Sequence, residues 1–301
     1  MKICATIPDA RAAGRAARAN RKRLGLVPTM GALHEGHLSL VRAAKAQCDA
    51  VAVSIFVNPT QFGPTEDLAK YPRQFERDRA LLEKEGVDIL FAPSVDEMYR
   101  KGEATWVMVE GLSDKLDGRS RPGHFRGVTT VVAKLFHILE PDVAFFGQKD
   151  AAQVAIIRRF VRDLNFPVEI AVCPIVREPD GLAMSSRNAY LNPEERQRAL
   201  VLQRSLREVE NQFHAGETRA PRLIAAAREI IAREPQVRLD YFEIVDPDAL
   251  EPIEQTSQQP ALVAVAAYVG ATRLIDNLLL SPTNKQWRDG RPFDFAPDAG
   301  H

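Results

Sequence analysis

Residues 24–37 read Leu-Gly-Leu-Val-Pro-Thr-Met-Gly-Ala-Leu-His-Glu-Gly-His, and this stretch decides the fold. Its apolar beginning, residues 24–27, predicts a short strand that is buried on both faces. The amphipathic residues 38–47 predict a helix that follows almost at once. A loop with two glycines and two histidines therefore joins a buried strand to a helix N-terminus, where backbone N–H groups can bind a nucleotide phosphate.

The same alternation of strand and helix continues along the first part of the chain. Further apolar, strand-like runs occupy residues 51–57, 87–91, 143–146 and 168–173. Helical patterns occupy residues 75–84, 128–139 and 151–163. Regular alternation of this kind predicts an α/β fold with a doubly wound parallel sheet, a Rossmann-like nucleotide-binding domain over residues 1–175.

The pattern changes after about residue 175. Asn192-Pro-Glu-Glu is a strong helix start, and it predicts a helix to about Phe213 that is followed by another over residues 220–233. Strand-like runs then occupy residues 239–245, 261–269 and 272–280. These elements predict a smaller α+β domain over residues 176–283. Residues 284–301 are polar with Gly and Pro, and they predict a disordered tail.

Bulk composition narrows the class of protein. The 301 residues include 40 basic and 40 acidic ones, so the net charge gives no reason to expect a nucleic-acid partner. No run approaches the roughly 18 apolar residues of a membrane span. The cysteines Cys4, Cys48 and Cys173 form no C-x-x-C pair and suit a reducing compartment, so a cytoplasmic protein is expected.

His34 and His37 are open to three interpretations. A zinc site needs further ligands, and no cysteine lies near. A purely structural role would have one histidine capping the helix and the other exposed. In the phosphate interpretation, which we favour, Gly31 and Gly36 let the backbone approach the ligand and the imidazoles donate hydrogen bonds to phosphate oxygens.

Two further segments carry weaker signals. Residues 54–62 follow the second strand, and Gln61 in them can donate and accept hydrogen bonds, although for this segment taken alone a turn capped by Asn58 with an idle Gln61 is the better explanation. Residues 118–127 hold three arginines and a histidine. They suit a flexible lid over phosphates, and a solvated basic loop is the alternative.

The remaining candidate segments combine cations with hydroxyls. Lys149 follows a strand and is placed to meet phosphate, while Asp150 can cap the next helix or accept from a ribose hydroxyl. Ser185, Ser186 and Arg187 form a compact phosphate clamp. Because ligands of open α/β sheets bind at the carboxyl ends of the strands, the convergence of these segments matters more than any one of them.

With these segments in hand, the chain resembles the pantothenate synthetase (pantoate–β-alanine ligase) family over roughly residues 1–282. Residues 28–37 alone indicate only the nucleotidyltransferase superfamily with its His-x-x-His signature. Residues 54–62 and 180–188 narrow the resemblance to this family. The motifs that carry the resemblance, in the family's order, are residues 28–37 (PTMGALHEGH), 54–62 (SIFVNPTQF), 123–127 (GHFRG), 146–150 (FGQKD) and 180–188 (DGLAMSSRN).

The resemblance implies a ligase that uses ATP as a substrate, with Mg²⁺ accompanying it. Pantoate would attack the α-phosphorus of ATP to give pantoyl adenylate and pyrophosphate. The amine of β-alanine would then attack the activated acyl group and release pantothenate and AMP. The family also forms homodimers, so a homodimer is expected, with no nucleic-acid or membrane partner.

The resemblance also assigns site residues. His37 would be the proton donor with His34 beside it, and Lys149 and Arg187 would join them in catalysis. Gln61 would contact pantoate and β-alanine, and Gln153 would contact pantoate. The metal ligand is left open, with Asp78 and Asp150 as candidates. The ATP-binding set would be Met30, Gly31, Ala32, Leu33, His34, Glu35, Gly36, His37, Gly147, Gln148, Lys149, Asp150, Val176, Met184, Ser185, Ser186 and Arg187.

Two other functions compete with the ligase. A nucleotidyltransferase on the same scaffold would pass a nucleotide to a phosphorylated acceptor, but its acceptor pocket should carry more Arg and Lys than Gln61 and Gln153 provide. A catalytically inactive nucleotide-binding regulator would bind ATP without turnover. The intact set of His34, His37 and Lys149 argues against that alternative.

Overall fold

The computed structural model describes residues 1–64 and 66–281. The predicted tail, residues 284–301, lies outside the described residues. Within them, nine strands form two sheets, one of six parallel strands and one of three antiparallel strands. The strands are β1 (Lys2–Cys4), β2 (Leu24–Thr29), β3 (Ala50–Ile55), β4 (Ile89–Phe91), β5 (Val143–Gly147), β6 (Glu169–Cys173), β7 (Val237–Val245), β8 (Ala261–Val269) and β9 (Thr272–Leu280).

The six-stranded sheet confirms the predicted doubly wound α/β fold. Its strand order is β1-β4-β3-β2-β5-β6, and each pair of neighbours is parallel. From β2 the chain moves outward through β3 to β4, whereas from β5 it moves outward in the other direction to β6. The topological switch point therefore lies between β2 and β5, which is where open sheets of this kind bind their ligands.

Ten α-helices occur in the described part of the chain, and none of them is long and apolar enough to cross a membrane. They are α1 (Ile7–Ala17), α2 (Glu35–Gln47), α3 (Phe75–Lys84), α4 (Val95–Met98), α5 (Asp117–Ser120), α6 (His124–Leu139), α7 (Ala151–Asp163), α8 (Pro193–Ala199), α9 (Val201–His214) and α10 (Ala220–Ala232).

The elements differ from the sequence prediction in several places, and the short helices α4 and α5 are among those not predicted. Strand β1 and helix α1 were not predicted, because three residues carry too little periodicity and because the Arg-rich residues after Asp9 were interpreted by their charge. Thr6 caps α1 by accepting a hydrogen bond from the Asp9 N–H. The single helix predicted from Asn192 to Phe213 is two helices that meet at Leu200.

The antiparallel sheet lies between two hydrophobic cores. Val263 and Val265 of β8 pack with α9 and α10, whereas the intervening residues Leu262, Ala264 and Ala266 join the core beneath the parallel sheet. Successive side chains of a strand point to opposite faces, so one strand serves both cores. This position explains why β8 is apolar at nearly every residue and why the second sheet lies firmly against the first part of the chain.

Candidate active site

A buried carboxylate shapes the loop between β2 and α2. Gly31 and Ala32 have φ of 83° and 51°, in the left-handed region. Asp78 of α3 is fully buried, and its two oxygens accept hydrogen bonds from the N–H groups of Ala32 and Leu33 at 2.7 and 2.9 Å. Because both oxygens already hold the loop, Asp78 is not free to act as a metal ligand.

His34 and His37 cap helix α2 together. The Nδ1 atom of His34 accepts from the Gly36 N–H at 3.1 Å, and the His34 N–H donates to Nδ1 of His37 at 3.3 Å. An acceptor nitrogen carries no proton, so in each neutral ring the proton sits on Nε2. The capping and phosphate interpretations are therefore compatible, since capping uses Nδ1 and leaves Nε2–H as a donor.

Both imidazoles are neutral at pH 7. Burial lowers the pKa of His34 to about 4, and the positive charge of Lys149 contributes to that shift. Burial and the neighbouring ring of His34 lower the pKa of His37 to about 3. Within residues 1–64 and 66–281, no group of three His, Cys, Asp or Glu side chains could hold a metal ion. The pair is thus arranged as two neutral N–H donors.

Lys149 and Asp150 follow β5, on the other side of the switch point. The Lys149 ammonium lies 3.3 Å from an oxygen of Asp150. Burial alone would raise the pKa of Asp150, but Lys149 and the positive field of Arg187 outweigh it and the pKa is lowered. An ionised carboxylate and an ammonium thus stand together next to the His34–His37 pair, on which both charges act.

The residues of the segment 184–187 meet the first loop from the second part of the chain. Ser185 caps a short 3-10 helix by accepting from the Arg187 N–H at 3.2 Å. The hydroxyl of Ser186 donates to the carbonyl of Ala32 at 3.4 Å. Arg187 forms two hydrogen bonds to Asp67, so part of the guanidinium predicted to clamp a phosphate is already bound to a protein carboxylate.

Gln61 is buried and held by its neighbours. Its Oε1 accepts from the Asn58 side chain at 3.1 Å, and its Nε2 lies 3.1 Å from the sulfur of Met30. The ring of His124 donates from Nδ1 to the Gln61 carbonyl at 2.8 Å. Asn58 also caps the turn as the alternative interpretation expected, but Gln61 is not idle, and its amide is fixed beside the first loop.

A cavity of about 800 Å³ opens between the two parts of the chain. Five of the predicted site residues line it, while His34, His37 and Gln61 do not. Lys70, Arg121 and Arg273 line the same wall together with acidic residues, so the wall carries charges of both signs. The predicted site residues on the wall are Lys149, Asp150, Gln153, Ser185 and Arg187.

The prediction of a flexible arginine-rich lid is wrong. Most of residues 118–127 are helical, in α5 and at the beginning of α6. Arg119 pairs with Glu243, and Arg121 pairs with Glu66 at 2.6 Å. Arg126 lies over the ring of Trp106 at 4.5 Å. Each of the three guanidinium groups already interacts with another side chain of the protein. The segment therefore connects parts of the fold and is not an open lid.

Two other members of the predicted ATP-binding set have side chains that are engaged elsewhere. The side chain of Leu33 lies in the core, and that of Glu35 pairs with Arg42 on the outer surface. At these two positions only the backbone is left to contact a nucleotide. The carbonyl of Val176 accepts from the Met184 N–H at 2.9 Å, which fixes the start of the 184–187 segment.

Sequence reasoning missed several residues that shape the site. Asp67 and Asn277 were not singled out, His124 was considered only as part of the arginine-rich segment, and Asp78 was considered only for a metal. Asp78 lies at a core-facing position of an amphipathic helix, where a carboxylate must have buried donors to accept from. Asp67 and Asn277 gave no local signal, because their partners Arg187 and Gln148 are 120 and 129 residues away in the chain.

The fold and the site define a doubly wound α/β protein whose functional residues gather at the topological switch point. The chain belongs to the pantoate-beta-alanine ligase family, because the model of the family with that description matches residues 2–279. It is thus a ligase of this family, whose reaction is the ATP-dependent condensation of pantoate with β-alanine.

Relatives and solved structures agree with that assignment. A pantothenate synthetase from Acidobacterium capsulatum is 67% identical over 262 residues, 87% of each chain. One from Thermotoga neapolitana is 58% identical over 280 residues, 93% of this chain and 100% of that one. The crystal structure of pantothenate synthetase from Thermus thermophilus has a TM-score of 0.88 at 48% identity, covering 92% of this chain and 99% of that one.

A further solved structure carries ligands. The pantoate-beta-alanine ligase from Francisella tularensis, complexed with beta-gamma ATP and beta-alanine, has a TM-score of 0.72 at 33% identity. The match covers 94% of this chain and 100% of that one.

Proposed function

We propose that this chain condenses pantoate with β-alanine through a pantoyl-adenylate intermediate at the site between β2, β5 and the 184–187 segment. The observation that carries the proposal is the meeting of three distant segments. The hydroxyl of Ser186 bonds to Ala32 in the first loop, and the charges of Lys149 and Asp150 act on the two histidines. The Francisella tularensis relative supports ATP and β-alanine as ligands here.

In the first step, an oxygen of the pantoate carboxylate bonds to the α-phosphorus of ATP, and the bond to the bridging oxygen of pyrophosphate breaks. A carboxylate is already a nucleophile, so the protein needs only to position it and to stabilise the leaving pyrophosphate. The Nε2–H groups of His34 and His37 would donate to phosphate oxygens as charge develops on them. Lys149 and Arg187 would contribute their cationic groups to the same task.

His37 would act as a neutral hydrogen-bond donor in this step. Its pKa of about 3 means that very little imidazolium exists at pH 7 before ATP binds. The reaction therefore does not begin with His37 as an imidazolium that could transfer a full proton. The proton-donor role expected from the resemblance becomes donation of a hydrogen bond, which grows stronger as negative charge accumulates.

In the second step, the amine nitrogen of β-alanine bonds to the acyl carbon, the bond from that carbon to the AMP oxygen breaks, and the nitrogen loses a proton. Gln61 would orient pantoate and β-alanine, and Gln153 on the cavity wall would contact pantoate. Neutral amides can bind hydroxyls and a carboxylate without the repulsion that a glutamate would introduce. Enclosure of the adenylate between the two parts of the chain would limit its hydrolysis.

Mg²⁺ is expected to accompany ATP, held largely by phosphate oxygens and water. Asp78 does not fit as a ligand, because both its oxygens accept from backbone N–H groups. Asp150 fits better, since its carboxylate is ionised and lines the cavity. When bound, the ion would neutralise part of the phosphate charge.

We also propose a homodimer, as the resemblance implies. Residues 103–109 belong to no helix or strand, and Trp106 and Met108 expose 42% and 53% of their surface. Val107 between them is anchored to α6 through Thr130, whose hydroxyl accepts from the Val107 N–H at 3.0 Å. An anchored segment with exposed apolar side chains suits contact with a second copy. Sedimentation of the wild type against Trp106→Glu tests this, and a monomeric wild type would refute it.

The division into a first domain, residues 1–175, and a second, residues 176–283, remains a proposal. It is supported by the end of the parallel sheet at Cys173 and by the separate hydrophobic cluster under α9 and α10. A cytoplasmic location is proposed as well. It is supported by the three free thiols, which suit a reducing compartment.

Product analysis tests the ligase reaction. The protein is incubated with ATP, pantoate and β-alanine, and pantothenate, AMP and pyrophosphate are quantified. We expect stoichiometric AMP and pantothenate, and pantoate-dependent exchange of labelled pyrophosphate into ATP when β-alanine is omitted. Release of AMP that does not depend on pantoate would refute the proposal. Transfer of a nucleotide to a phosphorylated acceptor would favour the competing nucleotidyltransferase.

A further inference from the structure

Asn277 of β9 holds the turn that carries Lys149. Its side-chain NH₂ donates one hydrogen bond to the carbonyl of Gln148 and one to the carbonyl of Lys149, both at 2.9 Å. Its Oδ1 accepts from the Gln148 side chain at 3.3 Å. Asn277 is 3% exposed and the two carbonyls are partly buried, so loss of these bonds leaves groups that water replaces only incompletely.

The Gln148–Asp150 turn connects β5 to α7. It is a short 3-10 helix with no side-chain cap at Gly147. The two hydrogen bonds from Asn277 fix consecutive carbonyls, and with them the direction from which the Lys149 side chain leaves the backbone.

The preceding residue, Asp276, ties a second segment to the same strand. Its carboxylate is 4% exposed and accepts two hydrogen bonds from Arg177 at 2.6 and 2.9 Å. Arg177 also donates to the carbonyl of Gly181 at 3.1 Å, and its backbone pairs with Ala183. This turn leads directly into Met184–Arg187, so Asp276 supports the segment that holds the predicted phosphate clamp.

Adjacent residues of one strand thus support the two segments whose side chains would contact the phosphates. The Asp276 carboxylate also accepts from the Asn277 N–H at 2.8 Å, which connects the two supports directly. We propose that Asn277 and Asp276 are positioning residues, which set the distance between Lys149 and the Ser185–Arg187 group for the attack on the α-phosphorus. This role rests on the proposed adenylate-forming function.

The test compares Asn277→Asp with Asn211→Asp. The first change keeps the shape of the side chain but replaces the double donor with an oxygen that repels both carbonyls. The second makes the same chemical change on the exposed surface of α9. Both proteins are assayed by pantoate-dependent exchange of pyrophosphate into ATP, which reports the first step alone, and by thermal unfolding.

We expect Asn277→Asp to lower kcat of the exchange on the order of 100-fold, because misplacement of a catalytic group by about 1 Å costs that much. The KM for pantoate should change much less than kcat, since Asn277 bonds to Gln148 and Lys149 and to neither Gln61 nor Gln153. Asn277→Ser, which retains one hydroxyl donor, should recover part of the rate and provides a milder variant if the first does not fold. Asn211→Asp should behave as the wild type.

The outcomes separate the two proposals. Pantoate-dependent exchange in the wild type with an unchanged kcat in both Asn277 variants would overturn the positioning role and leave the proposed function standing. A loss confined to the KM for pantoate would overturn it as well. A wild type without pantoate-dependent exchange would refute the proposed function and the positioning role together.

Discussion

Arg187 and Asp67 form a bidentate ion pair across the cavity, with Nε and one terminal nitrogen of the guanidinium 3.0 and 2.9 Å from the two carboxylate oxygens. Burial opposes ionisation of Asp67, but Arg187 outweighs it and lowers the pKa of the carboxyl group. The pair orients the guanidinium and leaves its remaining N–H groups for a phosphate. Asp67 is thus a partner of the clamp that the sequence assigned to Ser185, Ser186 and Arg187.

Arg187→Lys should lower kcat for adenylate formation by roughly 10- to 100-fold, because an ammonium cannot bond to Asp67 and a phosphate with the same planar geometry. Asp67→Asn should cost less, since an amide oxygen still accepts one hydrogen bond. The double variant, assayed by pyrophosphate exchange, should lose less than the sum of the two single losses expressed as free energies. Strict additivity would show that the two side chains act independently.

His37→Ala should lower adenylate formation by more than about 100-fold, because a donor to the developing charge is removed. Since Nδ1 of His37 also accepts from the His34 N–H, the free energy of unfolding should fall by about 1 kcal/mol. Single-turnover kinetics and urea unfolding measure the two effects. His214→Ala, at an exposed position on α9, is the control and should change neither. Wild-type turnover in His37→Ala would contradict the assigned role.

Gly127→Ala should disturb Gln61 from a distance. A Cβ atom at Gly127 would lie 2.4 Å from the Thr60 carbonyl oxygen and 2.7 Å from the Gln61 Cα, so α6 could not keep its present contact with that turn. The overlap should cost roughly 1–3 kcal/mol of stability and raise the KM for pantoate more than that for ATP. Gly63→Ala, whose Cβ would meet its neighbours no closer than 3.6 Å, is the matched control. Equal increases in both KM values would contradict the link to Gln61.

The stability of the protein should fall as the pH drops from about 6.5 to 4. Burial lowers the pKa of His124 to about 4, and its neighbour Arg121 adds to the shift. In that interval the unfolded histidine takes up a proton while the folded one stays neutral, so acid favours unfolding. His124→Asn should flatten this dependence by roughly 2 kcal/mol between pH 7 and 4, measured by urea unfolding. An unchanged slope would show that His124 is not held neutral.

The fold was accessible from the sequence because its signals are local. The buried strand at residues 24–27 and the amphipathic helix after it follow from periodicities that neighbouring residues create. The Arg-rich residues 118–127 were interpreted wrongly as a flexible lid because their contacts are not local. Two of their arginines pair with Glu66 and Glu243, which lie far away in the chain.

The candidate site could be predicted only in part, because some of its residues act through contacts that are distant in the sequence. Residue types showed that His34, His37 and Lys149 suit phosphate chemistry, and the sheet places them on the two sides of the switch point. The supports provided by Asp78 and Asn277 could not be predicted, because each bonds to backbone groups, and a backbone group has no residue type that would reveal its partner.

The support that β9 gives to the Lys149 turn also bears on the order in which the parts of the site form during synthesis of the chain. A ribosome makes the histidine loop and the Gln148–Asp150 turn well over a hundred residues before it makes Asn277. A nascent chain that has just completed the six-stranded sheet thus holds most of the chemically reactive groups without the strand that secures one of them. The last strand of the described fold thus secures a turn that was made long before it, so the site reaches its final geometry only after β9 has emerged.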